Sequence, residues 1–176
     1  TFDGFCSDRR QTQWEIGLRY HPTGSQLSLS LPIVQDLVDL PLLTEREEMR
    51  GEYRTMGLYP RGHVMAHLRG SLPGGVSSSQ GLGAYGEGEG VTVAGLVTRR
   101  QRPSGRTVFI TLEDEFGHIS VIVWPGIYAK YRHILREPFL LVCGTISRQE
   151  GTLNVVLAHA EAIPRLDYAP KAKNWG

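Results

Sequence analysis

The sequence predicts a mainly β fold: a five-stranded barrel carrying one helix, preceded by a small α-rich and partly extended segment. Three observations carry this. Five short runs rich in Val, Ile, Leu and Thr lie between residues 91 and 163. Each is bounded by turn-forming or strongly polar residues. A helical stretch interrupts the series once, between the third and fourth runs.

The first run, Val91–Thr98, is followed by Arg99, Arg100, Gln101 and Arg102, which read as a loop. Thr107–Glu113 and His118–Trp124 flank a turn at Asp114–Gly117. Pro at the first helical position starts a helix from Pro125 to about Leu135, whose Tyr128, Tyr131 and Leu135 share a face suited to plugging a barrel end. Phe139–Ser147 and Thr152–Ala158 enclose a turn at Arg148–Gly151. Gly95 marks a sharp bend in the first strand. Three strands, a helix and two strands within 91–165 are the layout of an OB-fold, a Greek-key barrel that commonly binds unpaired nucleic acid.

Strand alternation sorts these residues by face. Val108, Ile110 and Leu112 point one way, as do Ile119, Val121 and Val123, and these aliphatic sets should fill the interior. Phe109, Thr111 and Trp124 then lie outside on the two central strands, where aromatic rings can stack on bases. Arg99, Arg100, Arg102 and Arg106 in one loop and Arg148 in the last hairpin would border the same groove and pair with phosphates. Packing of the rings against the chain's own segments, and ordinary solvation of the arginines, are the alternatives.

The charge distribution agrees with this. Residues 91–176 hold 11 Lys/Arg against 7 Asp/Glu, whereas residues 1–90 hold 8 against 11. The basic excess therefore belongs to the barrel. It is small, so strong isolated binding is not expected.

The remainder is organised in parts. Residues 1–20 contain a short helix that Ser7 or Asp8 can cap, with Trp14 on it. Residues 21–43 are extended and broken by Pro22, Pro32 and Pro41. Residues 44–69 turn helical from a Thr44/Glu47 capping box. Residues 70–90, rich in Gly and Ser, read as a flexible linker and domain boundary, and 166–176 as a tail. The chain begins at Thr1 without a signal-peptide pattern, which reads as a piece of a longer polypeptide. No apolar run reaches the ~18 residues of a membrane span, and Cys6 and Cys143 form neither a zinc motif nor a disulfide framework. A cytoplasmic setting without membrane partners is expected.

Nothing in the chain makes a catalytic centre. Gly81, Gly83 and Gly86 match a dinucleotide fingerprint in spacing but bridge no strand and helix. His63 and His67 lie one helical turn apart without a third ligand, so a capping or solvated role is expected and no metal. Glu113, Asp114 and Glu115 occupy a hairpin turn, where acidic residues are usually solvated.

Several short stretches are recognisable together. They are Val93–Val97, Arg100–Pro103, Leu112–Gly117 and Val121–Pro125, with Asp8–Gln11 and Trp14, Glu52–Tyr53, Met56–Leu58, and Arg61–His63 with Met65 upstream. In this order they resemble the C-terminal region of bacterial C-family DNA polymerases (the DNA polymerase III alpha-subunit family), especially the error-prone DnaE-like branch. The resemblance covers the end of a helix-hairpin-helix region (1–20), a connector (21–69) and an OB domain (91–165). Val64 replaces the family's usual Pro, and 70–90 is unusually glycine-rich.

The resemblance implies a parent that is a DNA-directed DNA polymerase, a nucleotidyltransferase used in damage-induced translesion synthesis. Its magnesium-holding carboxylates would lie in a catalytic palm outside this chain, so no cofactor is expected here. It implies single-stranded DNA as ligand. Gln26-Leu27-Ser28-Leu29-Ser30-Leu31 resembles the linear motif that docks bacterial polymerases on the sliding clamp, with Gln26, Leu27, Leu29 and Leu31 as contacts. A half-buried strand is the alternative there. For the barrel, a module that docks repair or replication proteins, and an RNA- or tRNA-binding domain, stay open.

Overall fold

The computed structural model describes residues 8–19, 40–103, 106–149, 151–164 and 173–175. The chain divides into two compact units, 1–51 and 52–176. In the first unit, helix α1 (Arg9–Arg19) starts where the Asp8 carboxylate accepts the Arg10 and Gln11 amides at 2.8 and 3.3 Å. Helix α2 (Glu45–Met56), within which the division at 51/52 falls, opens on the expected capping box: the Thr44 hydroxyl accepts the Glu47 amide, and Glu47 accepts the Thr44 amide. Arg10 and Glu47 form an ion pair at 2.7 Å.

In the second unit, helix α3 (Val64–Arg69) is capped by His63, whose Nδ1 accepts the Met65 amide. Strand β1 (Val76–Ser77) and a 3₁₀ turn (Ser79–Ala84) lead into the barrel strands β2 (Gly90–Gln101), β3 (Val108–Glu113) and β4 (His118–Val123). Helix α4 (Pro125–Tyr131), a 3₁₀ turn (Ile134–Arg136), β5 (Phe139–Gln149) and β6 (Thr152–Ala162) follow. A final strand, β7 (Lys173–Trp175), adds to β2.

The barrel closes in the order β2-β3-β4-β6-β5 and back to β2. All contacts on this path are antiparallel except β4–β6. This is the expected OB-fold. Its interior takes the aliphatic faces assigned from alternation, with Ile110, Leu112, Ile119 and Val123 at most 2% exposed. Tyr131 and Leu135 close one end, and Tyr128 packs partly against them.

Close approach of strands explains two glycines. A Cβ on Gly95 would stand 2.8 Å from the Leu112 Cβ, as the bend there suggests. A Cβ on Gly144 would meet the Val156 carbonyl oxygen at 2.2 Å.

Three sequence expectations give way. The stretch 70–90 is not a free linker. Its β1 pairs in parallel with β2 (Val76 with Thr92), and Leu82 is buried in the barrel core. The glycines let the backbone hug the barrel, while Leu82, Ser79 and Tyr85 between them supply the attachment. Asp114 is not solvated: it is 2% exposed. Finally, β2 runs on to Gln101, so Arg99–Gln101 are strand rather than loop.

Candidate nucleic-acid interface

A β-bulge sets up the outer face of the barrel. Val97 pairs with Leu112 and points inward, but the register shifts before Arg99, which pairs with Thr111. Plain alternation would turn Arg99 toward the interior; the extra residue, Thr98, re-aims it outward. Gln101 then pairs with Phe109 on the same face.

Two ladders of outward residues result. One runs Gln101, Phe109, Ile122, Val156 across β2, β3, β4 and β6. The next runs Arg99, Thr111, Ser120, Asn154. The first is apolar beyond Gln101 and the second polar throughout; Ile122 and Asn154 are buried, which leaves Phe109, Val156, Thr111 and Ser120 partly exposed beside Arg99. Trp124 follows β4 two residues beyond Ile122, outside its ladder, and is 51% exposed. Phe109 and Thr111 are partly exposed. Exposed aromatic rings beside a cation and hydrogen-bonding groups suit bases on one side and their backbone on the other.

The arginines divide by role. Arg99 is exposed, and with the Gln101 amide oriented to accept, that oxygen lies 2.7 and 2.6 Å from two of its guanidinium nitrogens. Arg102 is exposed and stacks over the Tyr128 ring at 4.8 Å. Arg106 is exposed at the start of β3.

Arg100 and Arg148 are occupied otherwise. The Arg100 guanidinium turns away from the outer face and donates to the Leu135 and Glu137 carbonyls at 2.8 Å each. Burial lowers its pKa from the ordinary arginine value. Arg100 thus ties the 3₁₀ turn after α4 to β2. Arg148 donates to the Tyr85 and Gly83 carbonyls at 2.6 and 3.2 Å, and its amide donates to Glu87. It clasps the 70–90 stretch to the last hairpin. The proposed clamp contacts Gln26, Leu27, Leu29 and Leu31 lie outside the described residues.

At the opposite end of β3 the surface changes sign. Glu113 lies 3.7 Å from both His63 and His118. Burial lowers the pKa of His63, and the neighbouring acidic groups only partly oppose this. Glu115 pairs with Arg69 at 2.7 Å, a bond that lowers the Glu115 pKa and raises that of Arg69. A polyanion laid on the face is therefore favoured near Arg99 and Arg102 and repelled near Glu113.

Comparison with known proteins agrees with the fold and names the lineage. Residues 91–163 match the family model described as an OB-fold nucleic acid binding domain. Curated relatives named error-prone DNA polymerase match most of the chain. That of Anaeromyxobacter sp. (strain K) is 35% identical over 93% of this chain and 14% of its own length. That of Caulobacter vibrioides is 33% identical over 88% of the chain and 15% of its own length. That of Xanthomonas campestris pv. campestris (strain B100) is 43% identical over 68% of the chain and 11% of its own length.

The chain belongs to the error-prone DNA polymerase family. It spans about one seventh of the length of the first of these polymerases. Among its described residues no group of three or more His, Cys, Asp or Glu is arranged to hold a metal ion, and no helix is long and apolar enough to cross a membrane.

Sequence reading missed part of this polymerase segment's outer face. Alternation in β4 puts Ser120 on the same outer face as Trp124, whereas Asn154 and Val156 lie on β6, where the inward Val155 between them is what fixes the outer face. Gln101 was hidden by ending β2 too early. The β7 strand, three residues long, offers no periodicity to detect.

Proposed function

We propose that this chain is a non-catalytic, accessory segment of an error-prone polymerase that guides unpaired template DNA across the outer face of β3 and β4. The observation that carries this is the partly exposed Phe109 of β3 and the exposed Trp124 just past β4, set beside Arg99 and the exposed arginines of the β2–β3 loop. The family model supports nucleic acid as ligand, and the relatives named error-prone DNA polymerase favour DNA. In this reading the parent works in damage-induced, translesion synthesis in the cytoplasm. Nucleotide transfer and its magnesium belong to parts of the polymerase beyond this chain.

Anisotropy of labelled oligo(dT), an RNA of equal length and duplex DNA, each at two salt concentrations, tests the proposal. Weak, salt-sensitive, sequence-tolerant binding to single-stranded DNA is expected. Trp124→Ala should cost roughly 1–3 kcal/mol, as loss of one stacked base does. Arg99→Ala and Arg106→Ala should each lower the log–log salt slope by about 0.7, one phosphate contact apiece on a single strand. Arg100→Ala should leave that slope unchanged, since its guanidinium is committed to carbonyls. A preference for RNA would favour a tRNA-like ligand, and no binding to either would favour a protein-docking role.

The peptide Gln26–Leu31 supports a second contact, with the sliding clamp. Leu27→Ala combined with Leu29→Ala should abolish capture of the chain by immobilised clamp. Undiminished capture would remove that contact from the proposal.

A further inference from the structure

Strand β2 outruns one of its neighbours. Gly90–Leu96 pair with β5, but β5 begins at Phe139, opposite Leu96. Past that point the Arg99–Gln101 backbone would offer an open edge to solvent. β7 occupies it, running parallel to β2 with Lys173, Asn174 and Trp175 level with Arg99, Arg100 and Gln101. Those levels matter, because Arg99 and Gln101 begin the polar and apolar ladders of the outer face. The tail therefore brings a lysine into line with the polar ladder and a tryptophan into line with the apolar one.

The composition of the tail suits the same ligand. Lys171, Lys173 and Trp175 fall within five residues, and no acidic residue occurs after Asp167. A strand of three residues gains few backbone hydrogen bonds, and simple edge protection asks for no aromatic residue in it. A basic, aromatic strand beside a nucleic-acid face adds what that face already uses, charge and a ring.

We propose that β7 is the outer rail of the interface, a basic and aromatic strand that extends the face along which single-stranded nucleic acid runs. This rests on the reading of the β3–β4 face given above. It extends that face by one strand and makes the C-terminal tail part of the binding surface.

Anisotropy with labelled oligo(dT) on the full 176-residue chain tests this. Trp175→Ala should weaken binding at least about fivefold, with most of the loss restored by Trp175→Phe. Lys173→Ala should lower the salt slope by about 0.7. In a chain carrying Trp14→Phe and Trp124→Phe, emission from Trp175 should be quenched on adding oligo(dT). Hydrogen exchange of residues 173–175 should slow in the complex. If Trp124→Ala weakens binding while the Trp175 and Lys173 variants bind like the parent, with emission unchanged, the face stands and the role of the tail falls. Tighter binding by Trp175→Ala would also overturn the proposal, making the tail a cover. If the parent chain binds no oligo(dT), both readings fall together.

Discussion

Asp114→Ala is expected to destabilise the barrel unit by roughly 3–5 kcal/mol, the range for breaking a buried charged cluster by removing one partner. The Asp114 side chain is fully shielded from solvent. It accepts the Ser79 amide and hydroxyl at 2.6 Å each, the Phe116 and Gly117 amides at 2.9 and 3.0 Å, and the Arg69 guanidinium at 3.4 Å. Alanine leaves these donors without their acceptor in a site that excludes water. Two of the partners, Arg69 and Ser79, lie in the segment that leads into the barrel, so the loss should also loosen 69–84 from it. Thermal denaturation should show a drop on the order of 10–20 °C. Proteolysis should cut the variant near residues 70–90 first. A variant that melts with the parent and resists cleavage would refute this role for Asp114.

The same carboxylate makes stability depend on acid. Burial alone would raise its pKa, but the hydrogen bonds from Ser79, Phe116 and Gly117 outweigh it, and the net shift is downward from 3.8. A group whose pKa is depressed by folding contributes its full stability above its unfolded value and loses it as pH falls through the folded one. Glu115, held down chiefly by its bond to Arg69, acts in the same direction. Melting temperature should therefore fall steeply below about pH 4. Asp114→Asn, which cannot titrate, should flatten that fall while starting from a lower value.

Gly144→Ala should be at least as damaging. Its methyl group would meet the Val156 carbonyl oxygen at 2.2 Å, Val155 Cγ1 at 2.9 Å and the Val156 carbonyl carbon at 3.0 Å. Overpacking costs typically 1–3 kcal/mol where side chains can give way, and more where they cannot. Here the obstacle is the backbone of the neighbouring strand, at a register shift that sets Gly144 opposite Leu157. Separating β5 from β6 would pull Val142 and Ile146 out of the core. Gly126→Ala is the matched control. A Cβ there meets nothing within 4 Å, and alanine in a helix gains about 0.5–1 kcal/mol over glycine. Equal melting of the two alanine variants would count against the packing argument.

The barrel was legible because its signals are local. Alternation in Val108–Glu113 and His118–Val123 needs only neighbours in sequence, and both strands lie within a residue of expectation. The interface was legible in kind and less so in detail. Trp124 and Arg99 face outward, but Arg99 does so only through the bulge at Thr98, which no pattern in the sequence announces. Arg100, its neighbour, serves as a structural tie for the same reason. Asp114 looked like any acidic turn residue, since its partners Arg69 and Ser79 are 45 and 35 positions away. The glycine-rich stretch misled because composition reports backbone freedom, whereas Leu82 decides whether that freedom is used.

Closure of the barrel also dictates the timetable by which the chain matures. Val91 waits for Gly144, and Leu96 for Phe139. Pairings this distant demand loop closure before they return any energy, which slows acquisition of the native state toward milliseconds to seconds. Leu82 cannot settle until that closure is complete, so residues emerging early from the ribosome must idle until those near 160 have been made.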